Sequence, residues 1–170
     1  IRRVVLASLV AVWALRLSLF LFRRIHRVGK DGRFDEMKRN PPAFLIAWTL
    51  QGLWVFLTAL PVFILLTDGD VGPELGLWDA IGWSVWLLGF GLEVVADLQK
   101  SAFNQNPANK GRWIDVGLWS VSQHPNYFGE MVLWTGICIS GFGVYGGLQW
   151  MALVSPVFVV WLLTCVSGLP

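Results

Sequence analysis

Runs of about twenty apolar residues, separated by short charged segments, limit what this 170-residue chain can become. A helix needs about that many apolar residues to cross a bilayer, because it rises 1.5 Å per residue through a hydrocarbon layer roughly 30 Å thick. Five stretches qualify: Val4–Phe22, Ala43–Thr67, Leu77–Ala96, Phe128–Tyr145 and Gln149–Cys165. Pro61 predicts a kink in the second, and Gly146-Gly147 a tight turn between the last two. Hydrophobic residues make up 55% of the chain and charged residues only 14%, against about 25% in soluble domains. The fold class is therefore all-α, a polytopic transmembrane helix bundle of about five spans. It reads as a single membrane domain over 1–170. The sequence opens on Ile1 and ends at Pro170 just after an apolar run, so the expectation is a fragment lacking N-terminal helices and a C-terminal tail. Cys138 and Cys165 lie in apolar runs without metal-ligand spacing and read as packing residues.

Loop charge sets the expected orientation. Segment Arg23–Asn40 carries seven Lys or Arg, and Asp97–Gln123 carries Lys100, Lys110 and Arg112. The short Asp68–Gly76 segment is acidic. With five spans both basic segments fall on one side, which predicts that 23–40 and 97–123 are cytoplasmic. Arg2 and Arg3 fall on the other side and count against this assignment. The first basic segment suits anionic headgroups, a cofactor phosphate, or both. Membrane lipids are thus expected partners. Nucleic acid is not, because the Trp residues lie in apolar runs and at their ends.

Polar groups at membrane depth are costly and mark candidate sites. Glu93 and Asp97, four residues apart, share one helix face. Asp97 also reads as a solvated helix end, but Glu93 is a turn deeper. Gly82, Gly89 and Gly91 before them would allow close helix packing. Arg16 either snorkels to the basic side or pairs with Glu93, Asp97 or Glu130. The amide-rich run Ser101–Arg112, with Asn104 among its candidates, suits an adenine edge, a ribose or a carboxamide, or is an ordinary polar loop. The most informative run is His124-Pro125-Asn126-Tyr127-Phe128-Gly129-Glu130. Pro125 biases His124 away from helix and starts the next one. The free N–H groups of that first turn suit an anion. Glu130 is a site carboxylate or a residue favoured there by the helix dipole. The sequence lacks zinc-ligand signatures, a nucleophile elbow and a GxGxxG fingerprint. Any dinucleotide would be held without a Rossmann fold.

Three runs, Gly91–Asp97, Asn106–Arg112 and Gly117–Glu130, together with Trp13–Leu17 and Gly29–Arg33, resemble the steroid 5-alpha-reductase-like family. They are closer to its poorly characterised membrane branch that shares the C-terminal reductase domain. The resemblance covers nearly the whole chain. It implies a helix bundle holding NADPH and passing hydride to a carbon–carbon double bond conjugated to a carbonyl in a lipophilic substrate. By motif position, Asp97, Arg112, Asn126 and Glu130 would contact the cofactor. Glu93 stands where the steroid reductases have an amide, and Arg33 would reach the phosphates. His124 and Tyr127 would line the nicotinamide side and are the catalytic candidates. The chain departs from the pattern at Trp13, where the steroid reductases place a carbonyl-polarising Tyr, and at Gln123, where close relatives have Arg. Two other readings stay open. Isoprenylcysteine carboxyl methyltransferases are distantly similar through a His-Pro motif followed by Gly and Glu, and bind S-adenosylmethionine. A lipid-binding relative without catalysis is the other.

Overall fold

A computed structural model of the chain describes residues 1–28, 39–67 and 74–166, with helices throughout and no strand among them. The helices are α1 (Arg2–Val28), α2 (Pro41–Thr58), α3 (Leu60–Thr67), α4 (Leu77–Gln105), α5 (Pro125–Ile139) and α6 (Val154–Trp161). A 3-10 segment, Gly147–Leu153, leads into α6, and a π turn, Leu162–Val166, leaves it. Four stretches are long and apolar enough to cross a membrane: Arg2–His26, Pro41–Thr58, Leu77–Gln105 and Gly147–Val166. Little of α1 and α2 is buried, whereas α4 is the most covered of the four. Apolar surface left outside in this way suits lipid.

The elements depart from the sequence expectations for local reasons. The Ala43–Thr67 run is broken rather than kinked. Pro61 has no N–H to give Leu57, and its ring opposes that carbonyl, so α2 stops at Thr58. Ala59 donates instead to Val55 at 3.0 Å, and Val62 restarts the ladder on Ala59 at 2.9 Å. Helix α4 runs nine residues past Ala96, so Lys100, Ser101 and Asn104 are helical rather than loop residues. It ends where Asn106 precedes Pro107 and caps the next turn, accepting from Ala108 N at 3.0 Å. Helix α1 likewise continues through Arg23 and Arg24. The expected span Phe128–Tyr145 is a shorter helix that ends at Ile139 in turns.

The core is the antiparallel contact of α4 with α5. Gly82 and Gly89 on one helix face Gly136 and Gly129 on the other, each pair seven residues apart. A Cβ on Gly136 would lie 2.6 Å from both Gly82 O and Trp86 N. A Cβ on Gly129 would lie 2.7 Å from Glu93 N and Gly89 O. The backbones therefore touch, as small residues permit in a bilayer. Gly91 has open space beside it and takes no part.

Helix α1 lies parallel to α4 and is tied to it at two depths. At one end Arg2 makes two hydrogen bonds to Asp79, Nε to Oδ1 at 2.6 Å and Nη2 to Oδ2 at 2.7 Å. Asp79 also caps its own helix, accepting from Gly76 N at 2.9 Å. The other tie is Arg16, described below. Consequently α1 and α4 finish, and α5 begins, at the same end of the bundle. Cys138 is buried, Cys165 is exposed, and both thiols are free.

Candidate functional site

Arg16 points inward. Its guanidinium grips both carboxylates of the α4 face, Nη1 to Asp97 Oδ2 at 2.5 Å and Nη2 to Glu93 Oε1. The i, i+4 spacing on α4 makes this possible, because one planar fork spans two acids a helical turn apart. Glu93 is buried and Asp97 nearly so. Glu130 from α5 stands close by, within electrostatic range of Arg16 and Asp97 and beside Trp134. Asn126 donates from Nδ2 to Asp97 Oδ1 at 3.4 Å, joining the start of α5 to the cluster. Several buried polar atoms here have no hydrogen-bond partner among the described residues: Arg16 Nε, Glu93 Oε2, Asn126 Oδ1 and the indole N–H of Trp13. The Trp13 and Trp134 indoles meet edge to face with centroids 5.1 Å apart. Unpaired polar atoms inside a membrane protein are expensive, so their concentration at one place singles the place out.

Above this cluster opens a cavity of about 650 Å³ at the shared helix end, a size typical of small-molecule sites. Asp97 and Asn126 form its inner wall, Asn104 lies on the wall from α4, and His124 with Tyr127 closes it from the start of α5. His124 is the N-cap of α5, held non-helical (φ −140°, ψ 63°) by Pro125 behind it. Its ring stacks on Tyr127 with centroids 5.0 Å apart. Partial burial and then the charge of Lys100 push the His124 imidazole below its ordinary pKa, which favours its neutral form.

The connection that carries His124 is fixed to α4 rather than loose. Gln99 Oε1 accepts from Leu118 N at 2.9 Å, and Trp119 donates from Nε1 to Ala96 O at 3.0 Å. Lys100 Nζ sits 4.5 Å above the Trp119 ring. Gly117 has φ +61°, and a side chain there would run into Gln99.

Of the sequence candidates, the structure gathers Asp97, Asn104, His124, Asn126 and Tyr127 on the cavity wall, with Glu93 and Glu130 behind it. Arg112 is exposed in the turn after Asn109 and is not on the wall. Arg33 lies outside the described residues, as do Asp68 and Asp70. Sequence reasoning missed Phe20 and Lys100 as wall residues, whereas Arg24 came in with the basic segment and Ser101 and Gln105 with the amide-rich run. Asp97, Lys100, Ser101 and Asn104 stand at i, i+3, i+4 and i+7, which puts them on one helix face once α4 is continued past Ala96.

Comparison with known proteins places the whole chain, residues 1–170, in a family described as a protein of unknown function (DUF1295). The chain belongs to the DUF1295 family. That family is a steroid 5-alpha-reductase-like branch. An uncharacterized protein of Schizosaccharomyces pombe is 23% identical over 95% of this chain and 53% of its own length. A probable O-methyltransferase of Ustilaginoidea virens is 30% identical over 70 residues, 41% of this chain and 25% of its own length. This DUF1295 chain thus spans about half of the first relative and a quarter of the second. No solved structure matches it at a comparable level of significance.

Proposed function

We propose that this DUF1295 chain acts as a membrane-embedded, NADPH-dependent reductase of a conjugated carbon–carbon double bond in a lipophilic, steroid- or lipid-like substrate. One observation carries the reading. Five candidate residues, from Asp97 to Tyr127, converge on one cavity at the polar end of the bundle, over a cluster with unpaired polar atoms. The donor set fits a dinucleotide. Asn126, Asp97 and Asn104 on the wall offer polar groups to a carboxamide or ribose hydroxyls, and Asn126 Oδ1 has no partner among the described residues. When bound, NADPH supplies the hydride.

The chain's own residues then position and protect. Arg16 keeps Glu93 and Asp97 paired and fixed, so that Asp97 holds its place on the wall where the ligand would lie. Tyr127 presents a phenolic O–H, and we assign it the proton donated to the substrate. The His124 ring packs flat against the Tyr127 ring and sets its direction. Phe20 of α1 is the apolar side chain on the wall, against which a lipophilic substrate would pack. Orienting reactants in this way can lower a barrier by about 7–11 kcal/mol at best. We place the pocket end, where α1 and α4 finish, on the cytoplasmic side, since the basic segments follow there. Arg2, which counted against that orientation, is neutralised by Asp79.

The 70-residue similarity to a probable O-methyltransferase favours a second reading, S-adenosylmethionine-dependent methyl transfer, since a sulfonium cation suits the acidic inner wall. One experiment separates the two. Protein in lipid nanodiscs is titrated with NADPH, NADH and S-adenosylmethionine, with Asp97→Ala and Glu130→Ala as controls. Micromolar NADPH binding lost in both variants supports the reductase. S-adenosylmethionine binding without NADPH binding refutes it.

A further inference from the structure

The cavity is polarised by charge along its depth. Its inner end holds the carboxylates, already tied to Arg16 and Asn126. Two exposed cations also line the cavity, Arg24 from α1 and Lys100 from α4, each farther along its helix than Arg16 and Asp97. Among the described residues neither makes an ion pair. Lys100 is held in place by the Trp119 ring beneath it, and Trp119 is in turn anchored on Ala96. A cation fixed by an aromatic face loses less side-chain freedom when a ligand arrives than a free lysine does. Ser101 and Asn104 add polar groups to the same wall.

We propose that Arg24 and Lys100 form an anion subsite at the pocket mouth that takes a phosphate group, so that a ligand lies with its phosphate end outward and its uncharged polar end against Asn126 and Asp97. The reading of the pocket as a cofactor site enters only in saying what carries the phosphate. The field of Lys100 across the mouth is felt at His124, where it adds to burial in lowering the imidazole pKa. Arg24 supplies a planar fork suited to phosphate oxygens and Lys100 a point charge. The phosphate can belong to a soluble ligand or to a lipid headgroup at the bilayer edge.

The test uses the whole chain in phosphatidylcholine nanodiscs, titrated with inorganic pyrophosphate and with adenosine 2′,5′-bisphosphate. Lys100→Met and Arg24→Met should each weaken binding roughly tenfold or more, the scale of a charge-assisted hydrogen bond. Arg23→Met is the control, because it removes the same charge from the same helix about 100° away and off the pocket wall. Equal weakening by Arg23→Met would mean a diffuse surface field and overturn the subsite. A second arm replaces part of the lipid with phosphatidylglycerol. Competition with pyrophosphate that vanishes in Lys100→Met assigns the phosphate to a headgroup, and no competition assigns it to a soluble ligand; either supports the subsite. If NADPH does not bind but pyrophosphate does, and both cation variants lose it, the reductase reading fails and the subsite stands. NADPH or pyrophosphate binding indifferent to both cations overturns the subsite and leaves the reductase reading intact.

Discussion

The α4–α5 contact makes a prediction whose sign depends on which glycine is changed. Gly136→Ala places a methyl group 2.6 Å from Gly82 O and Trp86 N, both backbone atoms that no rotamer change can move. Ordinary carbon contacts lie near 3.5–4.0 Å, so the helices must separate by about 1 Å. Over-packing of this kind costs about 1–3 kcal/mol, and the facing contacts at Gly82, Gly89 and Gly129 loosen with it. Against it stands the better helix propensity of alanine, up to ~1 kcal/mol. The net loss is about 1 kcal/mol, or roughly 2–4 °C in Tm for a chain of this size. Gly91→Ala is the matched control. Its methyl meets nothing within 4 Å. Only the propensity gain remains, so stability should stay level or rise by up to ~1 kcal/mol.

The assay is thermal unfolding in nanodiscs, followed by circular dichroism, with both variants beside the parent chain. A Gly136→Ala transition at or above that of Gly91→Ala would refute the backbone-to-backbone packing. Gly129→Ala extends the argument to the site. Its methyl would press on Glu93 N at 2.7 Å, so it should weaken ligand binding as well as stability. Gly136 lies two turns farther along α5, and its substitution should affect binding less per degree of Tm lost.

Arg16→Met should cost about 3–5 kcal/mol, because it leaves Glu93 and Asp97 buried without their cation; chemical denaturation in detergent checks this, and a loss below 1 kcal/mol would mean that the pairing is incidental. Gly117→Ala should cost about 1–2 kcal/mol, since φ is +61° there, and should speed amide exchange over residues 117–121; unchanged exchange would refute the anchoring by Gln99. The folded-state pKa of His124 is depressed, so the stability tied to its neutral form is present above the unfolded-state pKa and is lost as pH falls through the folded value. An NMR titration should find the His124 midpoint below that of a free imidazole, and Lys100→Met should raise it; no response to Lys100→Met would remove the charge contribution. Tyr127→Phe should lower turnover on any accepted enone by about 10²–10⁴-fold while NADPH binding holds, and equal turnover would reassign the proton.

Much of this was legible in the sequence because the relevant signals are one-dimensional. Apolar run length announces a membrane helix, and a Pro after His124 announces where α5 begins. The i, i+4 pair Glu93 and Asp97 needs no structure to share a face. Its partner did, because Arg16 is 77 residues away from Glu93 and a charge near a span end reads equally well as snorkelling. The helical placement of Lys100 and Asn104 was hidden for a different reason. Hydropathy marks where the chain leaves the lipid, and nothing obliges a helix to stop there. The stop for α4 is Pro107, eleven residues beyond Ala96, where the apolar run ends. Gly129 carried two signals at once, one as part of a motif and one as a packing residue. Only its distance from Gly89 shows the second.

Gly129 also joins packing to chemistry. Glu93 can reach Arg16 only while the last apolar turns of α4 lie against the first turns of α5, and that approach exists because Gly89 and Gly129 have no side chains. The same approach brings Asn126 within reach of Asp97, and Glu130 beside the cluster. A carboxylate at that depth without a cation would be expensive. A cation there without the carboxylates would turn toward water. Each group is kept at membrane depth by the others, and all of them depend on a helix–helix distance set by glycine. Substitutions along the 82–89 and 129–136 stripe should therefore change ligand affinity in proportion to how far they part the helices at Gly129, even where they touch no wall residue. A stripe variant that lowers Tm while leaving affinity untouched would show that the cluster holds its own geometry.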